Sequence, residues 1–206
     1  LASGLDAAQV EERYSMARRI EAEETTLASA VRVITSTSQE IKEQYGSYKN
    51  KEVPKFAIIP PGIDIDKFYP FYHNMLTDNG VMEDAMYAQA SMLKELNRFF
   101  MRPDKPLILA LCRPDKRKNI SGLIQAFGED LELQTMANLA IFAGLRKDID
   151  TMEENEREVL TQMLLMMDKY DLYGKMAIPK KHDFDFEVPA LYRIAAEKRE
   201  QELTLL

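Results

Sequence analysis

The stretch from Leu107 to Asn119 constrains the fold most, because it passes directly from an unbroken apolar run to a cluster of cations. The run L-I-L-A-L-C is typical of a strand buried on both faces of a parallel sheet, and we expect it to be a central strand. Pro114 disfavours a helical conformation for Arg113, so the strand should end there in a turn. Asn119 or Ser121 should cap the helix that follows.

Four cations follow this strand at Arg113, Lys116, Arg117 and Lys118. A strand, a basic turn and a helix N-terminus together favour an anion, because ligands of open α/β sheets lie at the carboxyl ends of strands. The alternative is an ordinary solvated loop, since short basic runs are common. The net charge of −7 means that the cluster is not general basicity, which favours a ligand.

Composition limits the class of protein. With 206 residues, of which 46% are hydrophobic, the chain can form a substantial core. Its acidic balance argues against nucleic acid and against a membrane surface as partners. Cys112 is the single cysteine, which excludes a disulfide framework and indicates a reducing, cytoplasmic location. No apolar segment approaches the roughly 20 residues that a membrane span needs.

Hydrophobic periodicity predicts alternating strands and helices. In the first half we expect a helix over 6–29, a strand over 31–35, a helix over 37–45, a strand over 56–59 and a helix over 81–100. In the second half we expect strands at 107–112, 139–143 and 175–178, separated by helices. Such alternation predicts that these three strands are parallel and adjacent in one sheet.

The three loops after these strands begin near Arg113, Gly144 and Pro179. The carboxyl ends of parallel strands share one edge of a sheet, so we place the ligand there. The sequence has no phosphate-binding glycine-rich motif, no Cys/His metal spacing and no nucleophile elbow. The residues alone therefore predict a phosphate- or nucleotide-binding half of an α/β enzyme.

Several blocks of sequence resemble the sucrose-phosphate synthases up to about Lys198. The blocks are R-R-I-E-A-E-E from Arg18, I-T-S-T-S-Q-E-I from Ile34, I-P-P-G-I-D from Ile59, A-L-C-R-P-D-K-R-K-N from Ala110, M-M-D-K-Y-D-L-Y-G from Met166 and V-P-A-L-Y-R from Val188. Sucrose synthase shares the T-S-T-x-Q-E-I pattern, but the P-P-G loop is more similar to that of the phosphate synthases.

This resemblance implies a retaining glycosyltransferase of the GT-B arrangement, in which two Rossmann-like domains face a cleft. The reaction would join glucose from UDP-glucose to fructose 6-phosphate, giving sucrose 6-phosphate and UDP. Residues 1–54 would end the acceptor domain, 55–105 would form an inter-domain crossing, and 106–206 would be an incomplete C-terminal nucleotide-sugar-binding domain with a parallel sheet and flanking helices. Sucrose synthase, another GT-B glycosyltransferase and a non-catalytic α/β nucleotide-binding module remain alternatives.

The resemblance also implies functional residues. Arg113 and Lys118 match an Arg and a Lys that hold the donor diphosphate and serve catalysis, and Arg18 and Arg19 match a pair near the acceptor. Two further loops would lie near the donor nucleotide, with the residues Gly144, Arg146, Ile178, Pro179, Lys180, Lys181 and His182. No metal site and no required cofactor are implied, and stimulation by Mg²⁺ is left open.

The chain also departs from the family pattern. An E-P-F-G segment that meets the donor sugar should follow the helix containing Tyr192, but after Lys198 the sequence reads R-E-Q-E-L-T-L-L. The family's N-terminal glycine-rich loop and active-site histidine have no counterpart. The chain starts at Leu1 without a methionine. We therefore expect a piece of a longer enzyme that is inactive alone.

Overall fold

The computed structural model describes residues 6–69, 79–146, 148–180 and 182–203. The strands are β1 (Arg32–Thr35), β2 (Lys55–Ile58), β3 (Leu107–Cys112), β4 (Asn138–Ala143) and β5 (Met176–Ala177). The α-helices are α1 (Ala7–Tyr14), α2 (Met16–Ser29), α3 (Asn79–Asn97), α4 (Ile120–Glu129), α5 (Leu131–Met136), α6 (Glu154–Lys169) and α7 (Glu187–Leu203). The chain forms two compact units, Leu1–Ile63 and Asp64–Leu206. The predicted division at 54 and 105 stays a prediction.

The first unit begins with two helices where the sequence predicts one continuous helix over 6–29. That prediction is wrong because Ser15 adopts a left-handed conformation, with φ of 50°, and separates α1 from α2. The Glu11 carboxylate accepts a hydrogen bond from the Ala17 backbone N–H at 2.7 Å. A side chain thus satisfies one of the N–H groups that the break leaves free at the start of α2.

The strands of the first unit, β1 and β2, pair in parallel. Between them, the T-S-Q-E sequence at 37–40 predicts a capping box, and the structure confirms it: the Glu40 backbone N–H donates to Thr37 Oγ1 at 3.2 Å, and the Glu40 carboxylate accepts from the Thr37 N–H at 3.4 Å. The helix that this box starts widens into a π-helical turn, Glu40–Gln44, and finishes as a 3₁₀ turn, Tyr45–Ser47.

The second unit contains a three-stranded parallel sheet in the order β3-β4-β5. The prediction of three parallel and adjacent strands is therefore confirmed. The expectation that β3 is central and buried on both faces is wrong: β4 is the central strand, and all its residues are buried. Within the described residues β3 pairs on one side alone, so most of its side chains stay partly exposed.

Helices cover both faces of this sheet. Along β4, Leu139 and Ile141 pack in a cluster with residues of α4 and α6, whereas Ala140 and Phe142 pack in a second cluster with residues of α3 and α7. This alternation follows from the two-residue period of a strand. The predicted fold class is confirmed as mixed α/β, with parallel sheets and flanking helices.

None of the helices in the described ranges combines the length and the apolar character that crossing a membrane requires.

Candidate functional site

The loop after β3 leads directly into a helix. Asp115 accepts a hydrogen bond from the Arg117 backbone N–H at 2.9 Å and so caps a 3₁₀ turn, Lys116–Lys118. Asn119 then takes the position before α4 with φ of 51°, and its side chain makes no capping hydrogen bond. The sequence predicts Asn119 or Ser121 as the cap of this helix: Asn119 occupies the N-cap position, but its side chain does not cap the helix.

Two of the four cations in this loop are paired with carboxylates. Lys116 forms an ion pair with Glu158 at the start of α6. Arg117 donates from Nη2 to Asp115 Oδ2 at 2.6 Å and from Nε to Oδ1 at 3.0 Å, and this contact holds the pKa of Asp115 well below its usual range. These two cations therefore each have a carboxylate partner within the protein.

The other two cations, Arg113 and Lys118, are exposed and make no ion pair within the described residues. Lys118 lies close enough to Cys112 to act on its thiol: burial raises the pKa of Cys112, and the positive charge of Lys118 opposes that rise. The free ammonium group of Lys118 therefore contributes positive potential at the carboxyl end of β3.

The loop after β4 packs against the loop after β3. Gly144 has φ of +68°, and a Cβ atom built on it would lie 3.2 Å from Pro114 Cδ. Both the left-handed backbone and this close approach favour glycine. The second loop is thus held close to the first at the edge where the sequence places a ligand.

Arg146 joins the loop after β4 to the loop after β5. Its guanidinium donates from Nη2 to the Ile178 carbonyl at 2.6 Å and from Nη1 to the Pro179 carbonyl at 3.0 Å. Its backbone N–H donates to the Lys180 carbonyl at 3.0 Å. Because the side chain is only 7% exposed, this arginine, predicted to bind the donor, is turned into the protein.

The remaining residues of the third loop differ in exposure. Lys180 is exposed, whereas His182 is partly buried with its ring edge-on to Phe142, at 5.7 Å between ring centroids. Burial lowers the pKa of His182, and its Nδ1 atom has no hydrogen-bond partner. Lys181 lies outside the described residues.

A groove of about 770 Å³ opens beside this loop. Arg146, Ile178 and Lys180 are among the residues that line it. Its volume is within the range typical of small-molecule sites. The structure thus brings the described donor-site candidates together on three neighbouring loops at one edge of the sheet.

The predicted acceptor pair belongs to the first unit. Arg18 and Arg19 are exposed near the start of α2, beside an open groove of about 420 Å³ that Tyr14, Ser15 and Ala22 also line. The break at Ser15 places both arginines close to a helix N-terminus, where the helix dipole favours an anion over two cations.

Sequence reasoning missed Glu158, which neutralises Lys116. The available signal was topological, because α6 follows the loop after β4 and its first turns lie near the same edge of the sheet as the basic turn. In the described ranges no group of three or more His, Cys, Asp or Glu residues is placed to hold a metal ion. Stimulation by Mg²⁺ stays a prediction.

Comparison with known proteins gives consistent relatives, although no family model matches the chain. It is 38% identical over 219 residues to sucrose-phosphate synthase of Zea mays and 39% identical over 213 residues to that of Spinacia oleracea, each match covering 93% of this chain. It is 40% identical over 214 residues to probable sucrose-phosphate synthase 3 of Arabidopsis thaliana. The chain spans about 20% of the length of these relatives. The resemblance found in the sequence is thereby confirmed.

Proposed function

We propose that this chain, which matches a segment of the sucrose-phosphate synthases over 93% of its length, carries the nucleotide-sugar donor site of a retaining GT-B glycosyltransferase. The longer enzyme would transfer glucose from UDP-glucose to fructose 6-phosphate, giving sucrose 6-phosphate and UDP. Residues 106–206 would form part of its donor-binding domain. This proposal combines the similarity with the chemistry of the loops at the sheet edge.

The observation that carries the proposal is the division of the basic turn into paired and unpaired cations. Lys116 and Arg117 have carboxylate partners, whereas Arg113 and Lys118 have no ion-pair partner among the described residues. The two unpaired cations are the same two that the resemblance assigns to the donor diphosphate. A diphosphate bound at the carboxyl end of β3 would supply the missing negative charge for the unpaired pair.

The reaction gives these two cations a role. In glycosyl transfer from UDP-glucose the bond between the sugar and the diphosphate breaks, so negative charge grows on the leaving diphosphate. Cations held at that position stabilise the transition state more than the bound substrate. Arg113 and Lys118 would do this directly, whatever contribution Mg²⁺ makes.

The second and third loops would hold the nucleotide part of the donor. Gly144 brings the second loop against the first, and Ile178 and Lys180 line the groove next to Arg146. The groove is therefore lined by the second and third loops, together with residues of α3 such as Lys94 and Glu95, and the free cations lie on the neighbouring first loop.

The acceptor phosphate would be bound by Arg18 and Arg19. A guanidinium group offers a planar fork of N–H donors that matches phosphate oxygens, and a phosphate at the start of α2 would also offset two cations that lie unfavourably near the positive end of a helix dipole. An acceptor that carries a phosphate therefore explains this pair better than free fructose, the acceptor of sucrose synthase.

UDP binding to the 206-residue chain tests the donor site. We expect weak binding by the parent in an NMR titration and no glucose transfer. Arg113→Ala and Lys118→Ala should each weaken UDP binding about tenfold to hundredfold, the equivalent of a charge-assisted hydrogen bond. Lys116→Ala and Arg117→Ala are matched controls and should change affinity by no more than a few-fold. Equal losses in all four variants would contradict a specific diphosphate site and favour general attraction to a basic loop.

A further inference from the structure

The backbone after β5 lacks the support of a sheet. β5 is only two residues long, and its pairing with β4 ends at Ala140 and Ala177, although β4 continues to Ala143. Pro179 has no N–H to donate. From Ile178 onwards the chain therefore depends on other contacts to fix its path along the proposed donor groove.

Arg146 supplies those contacts. The two guanidinium hydrogen bonds to the carbonyls of Ile178 and Pro179 and the backbone bond to Lys180 begin where the ladder stops. Three successive carbonyls are thus held by one residue of the second loop. A planar fork of donors suits two adjacent carbonyls in a way that an ammonium group does not.

The charge of Arg146 is an unusual feature of this arrangement. Burial lowers its pKa, the Nε atom is buried without a hydrogen-bond partner, and within the described residues no carboxylate lies in ion-pair range of its guanidinium. A buried cation without a counter-charge is costly. A buried arginine at this edge is explained if ligand binding needs the loop that it holds and if the anion of a bound ligand lies near enough to offset its charge.

We propose that Arg146 is a positioning residue: although it lines the groove, its guanidinium donates to the carbonyls of Ile178 and Pro179, so it holds this loop in place for the donor nucleotide and makes no bond to the donor phosphates. This inference rests on the proposed donor site. It replaces the sequence-based expectation of a direct Arg146–donor contact with a structural role in the same loop.

The test compares Arg146→Lys with Lys118→Ala in the 206-residue chain, using uridine and UDP as probes. Arg146→Lys should weaken both ligands by the same factor, since Arg146 touches neither phosphate. Lys118→Ala should weaken UDP and leave uridine unchanged. Hydrogen exchange supplies a readout that needs no ligand: Arg146→Lys should speed exchange of the backbone amide of residue 146, which donates to the Lys180 carbonyl, about tenfold through easier local opening, whereas Lys118→Ala should not.

The outcomes separate the two proposals. If Arg146→Lys weakens UDP but not uridine, the arginine is a phosphate contact and the positioning role is overturned. Unchanged exchange in the loop overturns it as well. If the parent chain binds neither probe, the donor site itself is overturned. Exchange of the β4 amides shows whether each variant keeps the global fold. If Arg146→Lys unfolds the sheet, Arg146→Gln, which keeps one donor group, replaces it in the same comparison.

Discussion

The sheet β3–β4–β5 of the second unit and the sheet β1–β2 of the first unit are both parallel, yet their side chains are buried to different degrees. Leu139 and Ile141 in β4 are fully buried, whereas Ile34 in β1 is 62% exposed and Ile58 in β2 is 51% exposed. Helices pack on both faces of the sheet β3–β4–β5. The two-stranded sheet leaves apolar side chains open to solvent.

This difference shows where stability and function are expected to lie. Parallel sheets are stable when both faces are covered, and two strands alone are marginal. The proposed donor loops extend from the well-packed sheet β3–β4–β5, which gives them a rigid base. The proposed acceptor arginines lie in the first unit, whose sheet has more exposed side chains. We therefore expect substitutions in the second unit to have larger effects on folding than matched ones in the first.

The largest expected effect is on folding. Leu139→Ala removes a fully buried side chain from the central strand and should lower the free energy of unfolding by about 2–5 kcal/mol, because it leaves a cavity. Ile34→Ala is the matched change in β1 and should alter it by about 0.5 kcal/mol or less. Urea denaturation followed by circular dichroism measures both. Comparable losses would mean that β1 is covered in solution and would remove the contrast between the two sheets.

The next effect concerns turnover in the proposed longer enzyme. Lys118→Ala should lower kcat about tenfold to hundredfold, because its ammonium group meets more negative charge in the transition state than in bound UDP-glucose. Lys116→Ala and Arg117→Ala should stay within a few-fold of the parent, since their charges are already paired. Steady-state kinetics with varied UDP-glucose decides this. An unchanged kcat for Lys118→Ala would identify the turn as a solvated loop.

The contrast also shows what sequence can predict. The alternation of apolar runs and helices is strong enough in the second unit to predict three parallel strands, because β4 is apolar from Leu139 to Ala143. The position of β3 at an edge was missed, because an apolar run does not reveal how many neighbours a strand has. The pairing of Lys116 with Glu158 was missed as well, because it depends on contact between residues far apart in the chain.

Two glycines extend the comparison to single contacts. A Cβ atom on Gly128 in α4 would lie 2.4 Å from the Tyr170 ring, so Gly128→Ala should destabilise the chain by about 1–3 kcal/mol through overpacking. Gly46 in the first unit has its nearest neighbour, the Ile41 carbonyl oxygen, at 3.7 Å. Gly46→Ala should therefore change stability by about 0.5 kcal/mol or less. Thermal denaturation compares the pair, and a tolerated Gly128→Ala would show that Tyr170 moves freely.

A smaller effect is expected at the acceptor pair. Replacing Arg18 or Arg19 with Gln in the longer enzyme should raise KM for fructose 6-phosphate about twofold to fivefold, since exposed ion pairs contribute little each. KM for UDP-glucose should stay nearly unchanged. Equal changes in both constants, or no change in either, would remove the acceptor assignment while leaving the donor site in the second unit untouched.

The smallest effect is electrostatic and separates the carboxylates of Asp104 and Glu24. In the second unit, Arg102 lowers the pKa of Asp104 to about 2, whereas in the first unit the pKa of Glu24 is lowered chiefly by a hydrogen bond from the Lys49 backbone N–H. Because both pKa values are lower in the folded chain than in the unfolded one, each ionised carboxylate stabilises the fold at a pH above its unfolded pKa. For Asp104 this stabilisation is lost as the pH falls from about 4 towards 2.

Salt should distinguish the two carboxylates, because it screens exposed charges more than it weakens a hydrogen bond to a backbone amide. In NMR titrations at low and high ionic strength, the pKa of Asp104 should rise with salt and that of Glu24 should move less. Arg102→Gln should raise the Asp104 pKa at low salt and leave the Glu24 pKa unchanged. If Glu24 responds to salt as strongly as Asp104, the charge of Lys49 and not its backbone N–H holds that carboxylate.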